Sequence, residues 1–166
     1  LHRFLYIMHF IDLDRQQAKI KDLLLKRINQ VLNHGKYIMG PEVFELEERL
    51  SNYLDVKHSI SCSSGTDALL IPLLAKGVGP GDAIITTPFT YIATAEVISL
   101  LGAKPVFADI YEDTYNINPE KIKNAIRISN DKGLDPKAII PVDLFGLPAR
   151  YRIINEVAKK YNLMVI

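Results

Sequence analysis

The residues best placed to do chemistry lie in "SCSSGTDALLIPLL", residues 61–74, where small polar residues and one glycine run straight into an apolar segment. Read as a strand-to-helix turn, this stretch points the unpaired N–H groups of a helix start outward, and such an end binds anions. Gly65 omits the Cβ that would block close approach. Ser64 and Thr66 add hydroxyls, and the amides of Thr66 and Asp67 could hold phosphate oxygens. The Asp67 carboxylate repels an anion unless it turns away, which gives it a second role as a helix cap. The same residues also suit an ordinary cap with no ligand, so spacing leaves both readings open. The next connection, "TTPFTYIATAEVI" at 86–98, leaves a parallel sheet on the same edge. It would carry Phe89 or Tyr91 over whatever the first turn holds, and an aromatic face beside a phosphate cradle suits a flat ring. Both aromatics would serve equally as core or cap residues.

Other phosphate chemistries do not fit. The chain has neither G-x-G-x-x-G after its first strand nor G-x-x-x-x-G-K-[ST], which disfavours a dinucleotide module or a P-loop. His2, His9, His34 and His58 are scattered singly, with no metal-ligand spacing. The single cysteine, Cys62, excludes an internal disulfide and fits a reducing, cytoplasmic location. Twenty Lys plus Arg against nineteen Asp plus Glu leave a net charge of +1 with no basic stripe, so no nucleic-acid partner is expected. No apolar run approaches the roughly 20 residues of a membrane helix, and no membrane partner is expected. The opening "LHRFLYI" lacks a secretory pattern, and the first methionine is Met8. Residues 1–7 are therefore expected to be a non-native or upstream extension.

The elements that must position these residues follow from periodicity. Ile20, Leu24, Ile28, Val31 and Leu32 predict an amphipathic helix over 14–33, capped by Asp12 or Asp14 and stopped at Gly35. Pro41 opens a second helix, with Glu42 and Glu45 near its positive end and a packing stripe of Val43, Leu46, Leu50 and Tyr53. Residues 8–55 thus form an N-terminal helical arm. From residue 56 the pattern alternates: strands are predicted at "HSISC", "AIITT", "KPVFA", "AIIPV" and "LMVI", with helices from about Thr66, Tyr91, Pro119 and Tyr151. Repeated β-α units with strands apolar on both faces give an α/β fold, a three-layer α/β/α arrangement with a largely parallel sheet. The last strand, in "YNLMVI", has barely begun where functional groups would follow, so the chain is expected to be the front of a longer polypeptide.

With these pieces assembled, "SSGTDAL", "GVGPGDAIITTPFTYIATAEVISLLGAKPVFADI", "TYNINPEKI" and "AIIPVDLFGLPA" closely resemble the DegT-type sugar nucleotide aminotransferases. These are pyridoxal 5'-phosphate (PLP) enzymes of aminotransferase fold type I, and "FIDLDRQQAKIKDLLLKRINQVLNHGKYIMGPEVFELEERL" resembles their amino-terminal arm. The resemblance runs from about Met8 to the last residue.

The resemblance implies that Gly65, Thr66 and Asp67 bind the cofactor phosphate and that Tyr91 stacks on its ring, with Phe89 the less favoured substitute. It places Tyr37, Met39 and Asp143 near the substrate, although other members often carry histidine where Asp143 stands. Asp109 is read as a turn former. The aspartate that pairs with the pyridinium nitrogen and the Schiff-base lysine are expected beyond residue 166, so residues 56–166 form an incomplete PLP-binding large domain, inactive alone. For the complete enzyme the resemblance implies amino transfer, from glutamate as donor, to a nucleotide-linked keto sugar, with homodimerisation. The chain looks most like members that aminate the 3-keto position of a UDP-N-acetylglucosamine-derived uronate for surface polysaccharides such as O-antigen. A regulatory or binding module, and a dehydratase with histidine replacing the lysine, are the alternatives.

Overall fold

The computed structural model describes residues 10–166, so the expected extension over 1–7, Met8, His2 and His9 lie outside the described residues. The chain forms two compact units that divide between Ser61 and Cys62.

In the first unit, α1 (Leu13–His34) starts where the Asp12 carboxylate accepts from the Arg15 amide at 2.9 Å, satisfying one of the free donors of the first turn. It stops at Gly35, whose positive φ of 64° lets its N–H reach the Val31 carbonyl. Pro41 is the first residue of α2 (Pro41–Leu54). An Arg27–Glu45 ion pair at 2.5 Å and a His34–Glu42 hydrogen bond at 3.2 Å join the two helices. The expected packing of the α2 stripe is not seen, because Leu46, Leu50 and Tyr53 are exposed and neither helix has a buried residue. Two helices alone enclose too little volume to cover such a stripe.

The second unit is the α/β body: α3 (Gly65–Ala75), β1 (Asp82–Thr86), α4 (Ala93–Leu100), β2 (Lys104–Phe107), α5 (Pro119–Asp131), β3 (Asp135–Ile139), α6 (Tyr151–Tyr161) and β4 (Met164–Val165). Among the described residues the strands form one parallel sheet in the order β2-β1-β3-β4. Alternation along β1 divides the core. Ala83 and Ile85 join Ile139 and the apolar faces of α5 and α6, whereas Ile84 joins Ala138, Ile140, Leu73, Val97 and Ile98 from the α3 and α4 side. The three-layer expectation is met, with each wholly buried isoleucine contributing about 1.5–3 kcal/mol of apolar burial.

Two strand expectations change. Residues 58–62, "HSISC", join no ladder among the described residues, and the Ser61 amide and hydroxyl instead donate to the Glu47 carboxylate at 2.8 and 2.7 Å. A β-branched run becomes a strand only where a partner supplies the other half of the hydrogen bonds. The strand predicted at 138–142 begins earlier, at Asp135, and ends before Pro141, which has no N–H to donate.

Candidate functional site

Chain direction and length put the bare turn where a ligand would meet it. An 11-residue helix is about 16 Å long, and a five-residue strand about 16 Å. α3 runs into β1 through a tight turn at 77–81, so its first residues come back level with the carboxyl end of β1. Leu69, Leu70 and Leu73 pin the helix to the sheet in that position. From β1 the chain turns to β2 on one side, whereas the following crossover returns it to β3 on the other. The carboxyl ends of β1 and β3 therefore flank a topological switch point, the place where open α/β sheets bind ligands.

A cleft of about 570 Å³ lies there. It is lined by Gly65 and Thr66 of α3, Thr90, Tyr91 and Thr94 after β1, and the run Ile140–Phe145 after β3. Thr86, wholly buried, donates through Oγ1 to the Ile140 carbonyl at 2.9 Å and ties the two strand ends together.

The first turn of α3 is arranged as a cap that leaves two donors free. Ser64 Oγ accepts from the Asp67 amide at 3.1 Å, and the Asp67 carboxylate accepts in turn from the Ser63 hydroxyl. The Ser64 bond is one half of a capping box, and the bond from the Ser63 hydroxyl, in place of the Ser64 amide, draws the acidic group back into the turn. The Gly65 and Thr66 amides have no acceptor among the described residues and stand at the positive end of the helix dipole. Gly65 itself is not demanded by the fold. Its φ is not in the left-handed region, and an added Cβ would meet no atom within 4 Å. A glycine that neither conformation nor packing requires leaves room for a group that approaches the turn closely. A phosphate ester fits that cradle.

Of the residues singled out in the sequence, Gly65, Thr66, Tyr91 and Asp143 come together in the cleft. Tyr91 is 78% exposed and offers an open ring, while Phe89 packs against Tyr115 with ring centroids 5.3 Å apart. Asp67 does not line the cleft, and its amide, expected to hold phosphate, is taken by Ser64. Tyr37 and Met39 lie in the α1–α2 loop of the first unit, both exposed. Asp109 is a turn residue: its carboxylate accepts from the Ile110 amide at 2.8 Å and its carbonyl from the Asn118 amide.

Asp143 braces its own loop, accepting from the Ala149 amide at 2.9 Å. Burial first, then its hydrogen bond and charge interaction with Asp143, push the Tyr151 phenol up to about 12. Phe145 was not singled out from sequence, nor was Asn116, which holds the loop after β3 through hydrogen bonds to Leu144 and Leu147. The only sequence signal was an aromatic beside a glycine in "LFG"; the role of Asn116 has no local signature. Among the described residues no group of three or more His, Cys, Asp or Glu could hold a metal ion, and no helix is long and apolar enough to cross a membrane.

Residues 18–166 match the DegT/DnrJ/EryC1/StrS aminotransferase family, and the chain belongs to that family. It is 52% identical over 160 residues to the UDP-2-acetamido-2-deoxy-3-oxo-D-glucuronate aminotransferase of Pseudomonas aeruginosa, covering 96% of this chain and 43% of that protein. A DegT/DnrJ/EryC1/StrS aminotransferase from Brucella abortus superposes with a TM-score of 0.91 at 50% identity, over 95% of this chain and 43% of that one. NtdA from Bacillus subtilis, solved with bound PMP cofactor, superposes with a TM-score of 0.85 at 34% identity, over 99% of this chain and 37% of that one. The chain thus spans about two-fifths of the length of the relatives it matches.

Proposed function

We propose that the polypeptide to which these residues belong is a PLP-dependent aminotransferase that moves an amino group, from glutamate, onto the keto group of a nucleotide-linked sugar. The observation that carries this reading is the convergence, in one cleft at the switch point, of two free amides at a helix start with an open tyrosine ring. The Gly65 and Thr66 amides would hold the cofactor phosphate, their partial positive charge favouring a dianion. Tyr91 would cover the ring and shield that face from water. When bound, the cofactor supplies the electron sink that amino transfer requires. Asp67, turned back onto Ser63, keeps its negative charge away from the phosphate.

On this reading residues 8–55 are the N-terminal arm and residues 56–166 part of the PLP-binding large domain, with the pyridinium-pairing aspartate and Schiff-base lysine supplied outside these residues. Tyr37, Met39 and Asp143 are substrate-side residues. The 52% identity to the Pseudomonas aeruginosa enzyme supports a UDP-linked 3-keto uronate as substrate and a place in surface-polysaccharide synthesis. The protein is proposed to be a cytoplasmic homodimer. The test incubates the complete polypeptide with PLP, glutamate and UDP-linked 3-keto sugars and follows products by mass spectrometry. An amino sugar with matching 2-oxoglutarate is the expected result; no 2-oxoglutarate with any keto sugar nucleotide would sink the proposal.

A further inference from the structure

The tight turn after β3 breaks a local rule. Leu147 N–H donates to the Leu144 carbonyl at 3.0 Å, and the two residues between them both have positive φ, 54° at Phe145 and 82° at Gly146. That combination is the signature of a type I′ turn, whose first central position favours glycine or asparagine. A bulky aromatic there is strained. Its own burial does not compensate, because the Phe145 side chain is 85% exposed.

Asn116 holds the turn in this shape. It is only 4% exposed, and its amide bridges the turn: Nδ2 donates to the Leu147 carbonyl at 2.8 Å, and Oδ1 accepts from the Leu144 amide at 3.0 Å. Asn116 is itself fixed, since its carbonyl accepts from the Tyr111 amide at 2.9 Å. A buried amide therefore holds a strained residue whose side chain opens onto the cleft. Strain of this kind persists where the surroundings over-determine it, and it clusters at ligand-binding positions. The two sides of the cleft differ in chemistry. α3 and the turn after β1 bring free amides, Thr90 and Thr94, whereas the β3 side is mainly apolar, with Ile140, Pro141, Leu144 and Phe145.

We propose that Phe145 contacts the substrate, its ring forming the wall on which the pyranose ring of the nucleotide sugar lies, and that Asn116 is the positioning residue that holds it there. This rests on reading the cleft as a PLP and sugar-nucleotide site. With the cofactor's phosphate and ring taken up by Gly65, Thr66 and Tyr91, the β3 side is left for the second reactant. The C–H face of a pyranose is electropositive and matches the negative face of an aromatic ring.

The test uses the apo form of the complete polypeptide and titrates two probes by calorimetry, pyridoxamine phosphate and, with that in place, UDP-N-acetylglucosamine. F145A should weaken the sugar nucleotide about tenfold, the upper end for an aromatic contact, and leave pyridoxamine phosphate within about twofold. N116A should weaken the sugar nucleotide in the wild-type background and have no further effect on top of F145A. F145G, which relieves the strain, should raise Tm by about 3 °C while weakening the same probe. Loss of pyridoxamine phosphate affinity in F145A would assign the ring to the cofactor and overturn the proposal. Additive effects of N116A and F145A, or a lower Tm in F145G, would equally overturn it. A wild-type protein that binds neither probe would instead refute the functional reading on which the proposal stands.

Discussion

Replacing Gly65 with alanine separates the fold from the ligand site. The structure gives the fold no reason to object: the added Cβ meets nothing within 4 Å, and φ lies outside the left-handed region. Alanine also restricts the unfolded chain and favours helix, so stability should be unchanged or up to about 1 kcal/mol higher. Binding should move the other way. A methyl group at the turn keeps a phosphate oxygen from closing on the Gly65 and Thr66 amides, and losing one charge-assisted hydrogen bond costs about 1.5–3 kcal/mol. That converts to a roughly ten- to hundredfold weaker dissociation constant. Thermal unfolding of the apo protein and calorimetric titration with PLP measure the two sides independently. A G65A protein that keeps its Tm and also binds PLP as tightly as wild type would refute the argument that the glycine exists for phosphate approach. A G65A protein with a much lower Tm would show instead that the glycine serves packing.

Four further substitutions have expected outcomes. S64A removes the acceptor for the Asp67 amide and should cost about 1 kcal/mol in denaturant unfolding, with weaker PLP binding as the turn frays. T86V keeps the volume but removes the donor to the Ile140 carbonyl, leaving a buried acceptor without its partner, and should cost about 1–3 kcal/mol; an unchanged unfolding midpoint would contradict it. Tyr151 gives an alkaline signature. Its folded pKa is raised from 10.0 to about 12, so its contribution is fully present below pH 10 and is lost as pH rises from 10 to 12. Y151F should flatten that part of the stability–pH curve. D143N should lower the Tyr151 pKa only partway in a spectrophotometric titration, because burial is the larger cause and remains.

Amino-acid order by itself determined the helix limits, the β-α alternation and the position of the bare turn before α3. Asp12, Gly35 and Ser64 act through bonds to residues three or four away, and Pro41 through its own fixed φ, so their consequences are local and legible. Tertiary structure decided what depends on partners distant in sequence. "HSISC" carries a strand's composition, but a ladder needs a second strand, and none pairs with it among the described residues. The resemblance already favoured Tyr91 over Phe89, but that Phe89 packs on the ring of Tyr115, 26 residues away, was not legible from the sequence. Asp67 reads as a phosphate ligand or as a cap from its position, and only the Ser63 and Ser64 bonds show it working within the turn. The strained placement of Phe145 was hidden for the same reason: the group that enforces it, Asn116, is 29 residues earlier, and no periodicity links a buried amide to a turn it clamps across the fold.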